Sequence, residues 1–505
     1  MVSSGSTART LPAVLRAAAG RFADRPAFAE GDEVLTFADL LGRVRETARG
    51  YVALGLQPGD RVVVWAPNST AWAVAALAVS YAGGVLVPVN SRYVGAEVAD
   101  VVDRTGAILV VVADGFLGRT QITDLTSAAE LPSVRKVLDI TDLAGVARAG
   151  ADLPMSEVEA RADAVSPDDV ADILFTSGTT GRSKGAMSAH RQTVGVAHAW
   201  GSLGGVTAED RYLVVNPFFH SFGYKAGIVV GLLTGATLYP MATFDVDAVM
   251  DLVEQERITV LPGAPTIYQS MLAAPRRREH DLSSLRLAVT GAAVVPVVLI
   301  ERMRAPAPDG LGIDQVVTAF GMTEAVVATM CRHGDSAEVV ATTCGRAVPG
   351  MEARIGAHDE LLLRGEFVML GYLDDPEATA EAIDTDGWLH TGDVGRLDDQ
   401  GNLTITDRLK DMYISGGFNV YPAEVEQVIA RMDGVVECAV VGVADERMGE
   451  VGKAYVVRGG GVPSADQVIT FCRERMANFK VPRQVEFVDA LPRNLSGKVL
   501  KKDLR

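Results

Sequence analysis

The chain has 505 residues, of which 48% are hydrophobic and 22% charged, so it can bury a large core and is long enough for at least two domains. Its formal net charge of −17 argues against non-specific binding to nucleic acid or to anionic membranes. The four cysteines show no C-x-x-C spacing, which argues against a metal cluster and predicts reduced thiols in the cytoplasm.

The first residues lack the apolar segment of a secretory signal peptide, because Arg16 and Arg21 interrupt the only apolar stretch. An uncharged run over residues 66–91 is similar to a membrane span, but Pro67 and Pro88 interrupt it. A helix over residues 71–82 would be about 18 Å long, which is short of the ~30 Å hydrocarbon core of a bilayer. The sequence therefore predicts no transmembrane segment.

Short apolar, β-branched runs alternate with segments that are long enough for helices. This alternation predicts an α/β fold with a large N-terminal domain, whose parallel sheets are covered on both faces. After about Arg346, shorter strands and frequent glycines predict a small β-barrel-like unit. The predicted strands of the first part are Arg61–Trp65, Val85–Val89, Ile108–Val112, Tyr212–Val215, Ile258–Leu261, Leu285–Val289 and Gln315–Thr318.

A smaller α+β domain is predicted at the C-terminal end, from Asp411 onwards, and its size is within the usual range for a domain. Helical and strand patterns alternate within it. Its predicted elements are helix Pro422–Met432, strands Val435–Val443 and Lys453–Val457, helix Ser464–Met476 and strand Val485–Val488.

The segment from Phe175 to Gly185 places glycines and hydroxyls beside a lysine, directly after a predicted buried strand. Glycines let backbone N–H groups point at an anion, hydroxyls add donors, and Lys184 supplies a positive charge. The segment therefore predicts a phosphate-binding loop. Its candidate ligands are Thr176, Ser177, Gly178, Thr179, Thr180, Gly181 and Lys184.

Three other interpretations of this segment are a Walker A loop, a nucleophile elbow and a solvated loop. A Walker A loop needs serine or threonine after the lysine, where this chain has Gly185. Residues 181–185 match the G-x-S-x-G nucleophile elbow, with Ser183 as the nucleophile, but Ser183 lies well beyond the end of the predicted strand. A solvated Gly/Ser/Thr loop is also common for such a composition.

An aromatic-rich segment over residues 216–225 contains His220 and Lys225 among its aromatic residues. Such a segment could line an apolar ligand pocket or belong to the core. Its aromatic residues are Phe218, Phe219, Phe222 and Tyr224.

Two further candidate segments follow predicted strands. Residues 291–293 are small and allow close approach of a ligand, but they are equally typical of a strand-to-helix turn. Residues 318–324 offer an aromatic ring, a threonine and a carboxylate, which suit adenine, phosphate and Mg²⁺, but alone they also fit a helix N-cap followed by an acid. The residues concerned are Gly291, Ala292, Ala293, Thr318, Ala319, Phe320, Gly321, Met322, Thr323 and Glu324.

Single charged residues beyond this point are ambiguous by themselves. Asp393 could accept two hydroxyl donors at once, but an isolated aspartate or arginine such as Arg408 is by default a surface charge. His390 is interpreted as a structural residue. Lys498 belongs to a basic tail that alone predicts a solvated segment.

Together, TSGTTGRSKG, the segments at 291–293 and 318–324, WLHTGD at 388–393 and PRNLSGK at 492–498 resemble the motifs of the adenylate-forming superfamily. That superfamily includes acyl-CoA synthetases, peptide-synthetase adenylation domains and luciferases. The resemblance runs from about Leu11 to Lys501, with the motifs in the order of the family. Within it, the chain is most similar to actinobacterial fatty-acyl-type CoA ligases, in particular those that act on the hexahydroindanedione propanoate left from steroid rings.

The resemblance implies how ATP would bind. It assigns the glycine-rich loop to phosphates, residues 291–293 and Phe320 to adenine, and Asp393 with Arg408 to the ribose and phosphate. The superfamily more often has tyrosine where Phe320 stands, so this chain lacks a hydrogen bond from that phenol. The implied magnesium ligands are Thr180 and Glu324.

The resemblance also implies which parts are catalytic and which are mobile. Lys498 would contact the carboxylate and the α-phosphate, where a cation stabilises the charge that develops as pyrophosphate leaves. His220 would be a gate between the acyl site and CoA. Lys410 would be the hinge between a domain of residues 1–409 and a mobile domain of residues 410–505. The implied CoA-tunnel residues are Ser415, Gly416 and Gly417.

The implied acyl pocket contains polar side chains that a plain fatty chain would not need. A buried cation that faces only methylenes is costly, so Lys225 and Arg332, with Thr329 nearby, predict an acyl group that carries ring oxygens. The implied pocket residues are Phe219, His220, Phe222, Tyr224, Lys225, Val326, Val327 and Arg332.

The implied function is that of an AMP-forming acyl-CoA synthetase, which makes an acyl-adenylate from MgATP and then a thioester with CoA. Alternatives are a ligase for medium-chain fatty or aryl acids, an adenylating enzyme that loads a carrier protein, and a serine hydrolase that acts through Ser183. The implied partners are a carboxylic acid, ATP and CoA, and a second copy of the chain is a candidate partner.

Overall fold

A computed structural model describes most of the chain. The described residues are 8–176, 183–291, 295, 297–408, 411–415, 418–420, 422–445, 448–459, 463–476, 478–493 and 499–504.

The strands are β1 Pro26–Glu30, β2 Glu33–Thr36, β3 Arg61–Trp65, β4 Val85–Pro88, β5 Leu109–Val112, β6 Lys136–Asp139, β7 Val170–Phe175, β8 Gly185–Ala189, β9 Arg211–Val214, β10 Thr237–Pro240, β11 Leu287–Gly291, β12 Gln315–Met322, β13 Ala325–Met330, β14 Arg346–Ala347, β15 Met351–Ile355, β16 Glu360–Gly365, β17 Gly371–Tyr372, β18 Leu389–Leu397, β19 Leu403–Arg408, β20 Tyr413–Ser415, β21 Phe418–Val420, β22 Val435–Asp445, β23 Gly449–Arg458 and β24 Gln484–Val488.

The α-helices are α1 Leu11–Phe22, α2 Phe37–Ala53, α3 Thr70–Tyr81, α4 Gly95–Thr105, α5 Gln121–Ala128, α6 Leu143–Ala149, α7 Met155–Ala164, α8 His190–Leu203, α9 Ser221–Gly223, α10 Val230–Thr234, α11 Val246–Gln255, α12 Pro265–Ala273, α13 Val297–Arg304, α14 Ala337–Thr342, α15 Pro376–Ala382, α16 Pro422–Ile429 and α17 Ala465–Arg473.

The first large sheet has seven strands in the order β17-β8-β7-β4-β3-β5-β6. Strands β3 to β7 pair in parallel, as the alternation of strands and helices predicts. The predicted strands Arg61–Trp65, Val85–Val89 and Ile108–Val112 all lie in this sheet, with ends within a residue of those predicted. Strand β8 pairs antiparallel with β7, and β17 pairs antiparallel with β8. The sequence did not predict these two pairings.

The second large sheet joins two four-stranded units, β2-β1-β10-β9 and β11-β12-β13-β14. Val260 bridges them, because it pairs in parallel with Tyr212 of β9 and with Leu287 of β11. The predicted strand over residues 258–261 therefore lies in the sheet but is shorter than predicted. The N–H of Leu213 donates to the carbonyl of Val260, and the N–H of Leu261 donates to the carbonyl of Leu287, each at 3.0 Å.

Helices α3 and α8 lie between the two large sheets. Helix α3 contacts β3 and β4 of the first sheet and β1 of the second, while α8 contacts β7, β8 and β13. Helix α3 begins after Ser69, whose hydroxyl accepts a hydrogen bond from the backbone N–H of Trp72 at 3.1 Å. This burial explains why the chain around α3 is uncharged. No helix in the described part of the chain is long and apolar enough to cross a membrane.

A third, antiparallel sheet has the order β15-β16-β18-β19 and corresponds to the predicted β-barrel-like unit. Beyond it, β20 to β24 form a sheet packed with α16 and α17, as predicted for the C-terminal α+β domain. The core of this domain is a separate cluster of buried residues that includes Tyr413, Val425 and Val468. The predicted boundary between residues 409 and 410 lies outside the described residues and stays a prediction.

Candidate functional site

The predicted phosphate loop connects two antiparallel strands. Phe175 of β7 pairs with Gly185 of β8, and the backbone N–H of Thr176 donates to the carbonyl of Lys184 at 2.8 Å. A helix does begin near Ala189, since α8 starts at His190, but residues 185–189 form a strand first. Ser177, Gly178, Thr179, Thr180 and Gly181 lie outside the described residues.

This hairpin argues against the nucleophile-elbow interpretation. An elbow serine sits on a tight turn from a strand into a helix. Ser183 instead lies between two antiparallel strands, two residues before β8 begins. The local geometry of a serine hydrolase is therefore absent at Ser183.

The segment over residues 318–324 forms a second hairpin rather than a helix N-cap. Strand β12 continues through Met322, which pairs with Ala325 of β13, so the turn is made by Thr323 and Glu324. At Gly321, a Cβ atom would overlap the carbonyl oxygen of Val326, so only glycine fits there. The helix interpretation of this segment was therefore wrong.

Gly291, the first residue of the small-residue segment, lies beside the segment over residues 318–324. Strands β11 and β12 are parallel neighbours, and Gly291 pairs with Ala319. A Cβ atom on Gly291 would lie 2.5 Å from the carbonyl oxygen of Ala319. Half-buried Phe320 follows at the same carboxyl ends of parallel strands, where α/β proteins bind their ligands. Ala292 and Ala293 lie outside the described residues.

A tyrosine that sequence reasoning missed joins the two hairpins. The phenol of Tyr372 donates to Oε1 of Glu324 at 2.8 Å, and the ammonium of Lys184 lies 4.9 Å from the centre of the Tyr372 ring. Glu324 is 7% exposed. Burial, and then the negative charge of Glu324, raise the pKa of Tyr372, so its phenol is a neutral donor.

Tyr372 reaches this position through the pairing of β17 with β8. Tyr372 pairs with Ala186, and the N–H of Leu373 donates to the carbonyl of Gly185 at 2.8 Å. A two-residue strand so far from β8 along the chain leaves no periodic pattern. No signal in the sequence could have placed this tyrosine.

The hydroxyls of two threonines at this site are used within the protein. The Thr318 hydroxyl lies 2.7 Å from the carbonyl oxygen of Thr343, and the Thr329 hydroxyl donates to the carbonyl of Cys344 at 2.8 Å. Both residues are buried. The sequence suggests Thr329 as a partner for substrate oxygens, but its hydroxyl is used within the protein. Thr323, in the turn, is only half-buried.

The two predicted ribose residues are neighbours. Asp393 of β18 pairs directly with Arg408 of β19, and Asp393 is 4% exposed. Its backbone N–H donates to the hydroxyl of Thr391 at 3.1 Å. Nδ1 of His390 lies 2.9 Å from Glu360, in agreement with a structural role for that histidine.

His220 lies within the aromatic-rich segment over residues 216–225. It precedes α9, and its Nδ1 accepts a hydrogen bond from the N–H of Phe222 at 3.1 Å. Part of the ring reaches the surface, yet the protein around it is dense enough that burial lowers its pKa and favours the neutral imidazole. Phe219 beside it is half-buried.

The remaining pocket residues face different neighbours. The Phe222 ring lies 6.4 Å from Trp200, and the fully buried Tyr224 ring lies 6.0 Å from Trp72. On β13, Val326 is half-buried and Val327 is buried. These side chains supply apolar surface.

The structure corrects the interpretation of Lys225 and Arg332 as partners for substrate oxygens. The ammonium of Lys225 lies 2.9 Å from Oδ1 of Asp172, and both side chains are at most 1% exposed. The Arg332 guanidinium donates to the carbonyl oxygens of Met330 and, at 2.8 Å, Ala347. The protein itself satisfies both cations, so neither requires an oxygen on the acyl group.

The described part of the C-terminal domain places one predicted CoA residue. Ser415 of β20 is 3% exposed and pairs with Phe418 of β21. Gly416, Gly417, Lys410 and Lys498 lie outside the described residues.

The chain matches two family models. Residues 15–373 match the model described as AMP-binding enzyme, and residues 424–498 match the model of the AMP-binding enzyme C-terminal domain.

Curated relatives are similar over nearly the whole chain. The chain is 59% identical to the 7a-methyl-1,5-dioxo-octahydro-1H-inden-4-yl propanoyl:CoA ligase of Rhodococcus jostii (strain RHA1), over 98% of each chain. It is 54% identical to the ligase of the same name from Mycobacterium tuberculosis (strain ATCC 25618 / H37Rv), again over 98% of each chain. The crystal structure of ATP-bound MatB from Rhodopseudomonas palustris has a TM-score of 0.87 at 31% identity, over 98% of each chain.

Proposed function

Because this chain belongs to the AMP-binding enzyme family and is an ATP-dependent, AMP-forming acid–CoA ligase, we propose that its acid is the bicyclic dioxo-octahydroindenyl propanoate left from steroid rings. The observation that carries this proposal is the identity of 59% and 54%, over 98% of each chain, to two ligases named for that acyl group. Relatives named for a different acid are less similar, such as a feruloyl-CoA synthase at 37%.

The residues suit the two half-reactions in the following way. In the first, a carboxylate oxygen attacks the α-phosphorus of ATP while the bond to pyrophosphate breaks. Lys184 and Lys498 are assigned to the negative charge that develops on the phosphates, Phe320 to the adenine, and Asp393 to the ribose hydroxyls. Buried Glu324, an oxygen ligand of the kind that Mg²⁺ prefers, would hold that ion together with Thr180, and the ion would neutralise phosphate charge.

In the second half-reaction, the CoA thiolate attacks the carbonyl carbon of the acyl-adenylate, and AMP leaves with the electrons of the anhydride bond. No covalent intermediate on the protein is needed. The His220 imidazole, whose neutral form is favoured, is assigned to the boundary between the acyl group and the thiol, and Ser415, Gly416 and Gly417 to the path of CoA.

Recognition of the acyl group falls mainly to shape and apolar contact, since Lys225 and Arg332 are paired within the protein. Phe219, Phe222 and Val326 remain as half-buried apolar candidates. A rigid bicyclic acid buries its surface without the loss of chain freedom that a long alkyl chain suffers. The apolar lining therefore favours a compact ring acid, with no contribution from buried cations.

The proposal is tested by comparing kcat/KM for the bicyclic propanoate, octanoate, palmitate and cinnamate at one ATP and CoA concentration. We expect the bicyclic acid to be preferred by about a hundredfold or more, because several ring contacts each contribute to discrimination. A higher kcat/KM for octanoate, palmitate or cinnamate would instead favour a medium-chain, long-chain or aryl acid ligase.

Cytoplasmic location is supported by the four free cysteines and by the use of ATP and CoA. A homodimer stays a prediction, and sedimentation equilibrium of the purified enzyme decides between one copy and two.

Measurement of pyrophosphate release with and without CoA separates the ligase from an adenylating enzyme that loads a carrier protein.

A further inference from the structure

A buried polar network lies under the phosphate-loop hairpin. Lys225 lies 2.9 Å from Asp172 and donates to the hydroxyl of Ser188 at 2.8 Å, while the hydroxyl of Thr193 donates to the other oxygen of Asp172 at 2.7 Å. All four residues are at most 5% exposed. The network is therefore a set of charges and hydroxyls that is buried from solvent.

Its members come from the strands beside the predicted phosphate loop, from α8 and from the helical segment after His220. Asp172 and Ser188 are cross-strand partners on β7 and β8, the strands that enter and leave the phosphate loop. Thr193 lies on α8, between the sheets. Lys225 lies five residues after His220, in a π-helical segment over residues 224–229 that joins α9 to α10.

The network is not explained by stability alone. Removing two charges from water is costly, and replacing a buried ion pair with neutral groups of similar size is often neutral or stabilising. A π-helical segment inside an α-helix also recurs at functional sites. The arrangement links β7, β8, α8 and the π-helical segment by directional contacts.

We propose that Asp172 and Lys225 are a positioning pair that fixes the phosphate-loop hairpin against the acyl-side helix, so that the acid carboxylate meets the α-phosphate in line. The proposal rests on the assignment of residues 176–184 to phosphate and of Phe219 and Phe222 to the acyl group. The pair acts through the hairpin and the helix and contacts neither substrate. Its effect therefore belongs to the adenylation step rather than to substrate affinity.

The test uses the double variant Asp172→Asn/Lys225→Met, which removes both charges while the amide oxygen of the new side chain keeps an acceptor for Thr193. ATP–pyrophosphate exchange is measured with whichever acid the wild-type enzyme turns over fastest, so a wrong acyl assignment does not affect the outcome. We expect a thermal midpoint close to wild type and a kcat of exchange lowered about tenfold to a hundredfold, since small misplacements in reacting groups have such effects. KM for ATP and acid, and thioester formation from supplied acyl-AMP, should change less than about threefold.

The matched control is Asp210→Asn/Arg286→Met. It removes another ion pair, at 3% and 35% exposure, whose residues directly precede β9 and β11 of the second sheet. Its exchange rate should stay at the wild-type value. If Asp172→Asn/Lys225→Met exchanges at the wild-type rate, the positioning role is wrong. An equal loss of exchange rate in the control variant also overturns it.

A second variant keeps the test decisive if the double variant does not fold. Ser188→Ala removes the hydrogen bond from Lys225 to β8 and leaves the ion pair intact. It should lower kcat of exchange several-fold with unchanged KM. A Ser188→Ala enzyme that folds and exchanges at the wild-type rate contradicts the proposal.

Discussion

Tyr372 contacts both a lysine and a glutamate that come from distant parts of the chain. Its ring faces Lys184, and its phenol donates to Glu324. A neutral donor fixes one oxygen of the glutamate and leaves the carboxylate negatively charged. The residue therefore orients an acid without neutralising it.

Replacement of Tyr372 by phenylalanine tests this role, because it keeps the ring and removes the hydroxyl. We expect kcat for acyl-AMP formation to fall about tenfold to a hundredfold, in line with the loss of a hydrogen bond to a charged group. Stopped-flow measurement of pyrophosphate release provides the rate. The rate from supplied acyl-AMP to thioester should be unchanged.

The control is Tyr239→Phe, because Tyr239 also donates to a carboxylate, Glu256, at 3.1 Å, but on the second sheet away from the site. Its pyrophosphate release should match the wild type. Equal losses in both variants would mean that Tyr372 only stabilises the fold.

His190 predicts a pH dependence of stability. Burial lowers its pKa to about 4 from 6.5, against the opposite effect of Asp172 and Asp169, and its Nδ1 accepts from the N–H of Leu11 at 3.3 Å. The folded state keeps His190 neutral, whereas the unfolded chain binds a proton as the pH falls below about 6.5. Stability is therefore full above pH 6.5 and falls by roughly 3 kcal/mol as the pH drops to about 4.

The measurement is the midpoint of urea unfolding at several pH values between pH 7 and pH 4, with tryptophan fluorescence as the signal of unfolding. His190→Gln keeps an acceptor but cannot titrate, so its midpoint should fall less than that of the wild type. His198→Gln, at an exposed position on the same helix, should follow the wild type. Parallel curves for wild type and His190→Gln would show that burial does not hold His190 neutral.

At this scale, the sequence predicts types of residue better than their contacts. Phe320 and Gly291 lie together as expected, because both follow parallel strands that pair directly. The interpretation of Lys225 failed, because a partner for a buried cation can come from any element that packs against it, here Asp172 of β7. Tyr372 was missed for the same reason.

The two hairpins were harder to predict as elements than the parallel strands. Strand β8 has the sequence GAMSA, which contains no β-branched residue, and it forms because it lies between β7 and β17. The sequence at the end of β12 is typical of a helix start, because Thr323 and Glu324 suit an N-cap and a first turn. In both segments, pairing across the sheet overrides local preference.

Gly321 tests the second hairpin. Because a Cβ atom would overlap the carbonyl oxygen of Val326, Gly321→Ala should separate β12 from β13 and destabilise the domain by about 2 kcal/mol or more. It should also slow pyrophosphate release, because Phe320 and Glu324 flank the distorted backbone. Denaturant midpoints and release rates provide both quantities.

Gly42→Ala is the matched control, because Gly42 lies on an exposed face of α2 with open space around its Cα. Alanine there should stabilise the protein by about 0.5–1 kcal/mol through helix propensity. A Gly321→Ala protein as stable as the wild type would show that the hairpin tolerates a side chain.

On the scale of the whole molecule, the fold was largely predictable and the order of the strands was not. Alternating strands and helices predict parallel sheets, and these form, as do the antiparallel unit and the C-terminal α+β domain. The order β17-β8-β7-β4-β3-β5-β6 depends on long-range packing that periodicity does not record. The domains matter for function because the proposed catalytic groups are divided between them.

Lys498 tests that division. If it serves adenylation alone, Lys498→Ala should reduce acyl-AMP formation by about a hundredfold or more. The variant removes the positive charge that stabilises the negative charge developing as pyrophosphate leaves. Thioester formation from supplied acyl-AMP and CoA should stay near the wild-type rate. Equal losses in the two steps would contradict the assignment.

Lys410 tests the proposed hinge. Proline fixes φ near −65°, so Lys410→Pro should hold one orientation of the C-terminal domain. We expect adenylation to continue while thioester formation falls by a much larger factor, measured as pyrophosphate release against acyl-CoA release. Unchanged overall turnover would place the pivot elsewhere.

The pairing of β17 with β8 also bears on how the protein is made. While a ribosome synthesises the chain, β8 emerges long before residues 371–372, so one edge of the seven-stranded sheet stays open during much of translation. An open strand edge can pair with other chains, and nascent chains are exposed to that risk. Because β17 also carries Tyr372, a single late pairing event covers this edge and brings the phenol to Glu324, and a chain released earlier has neither.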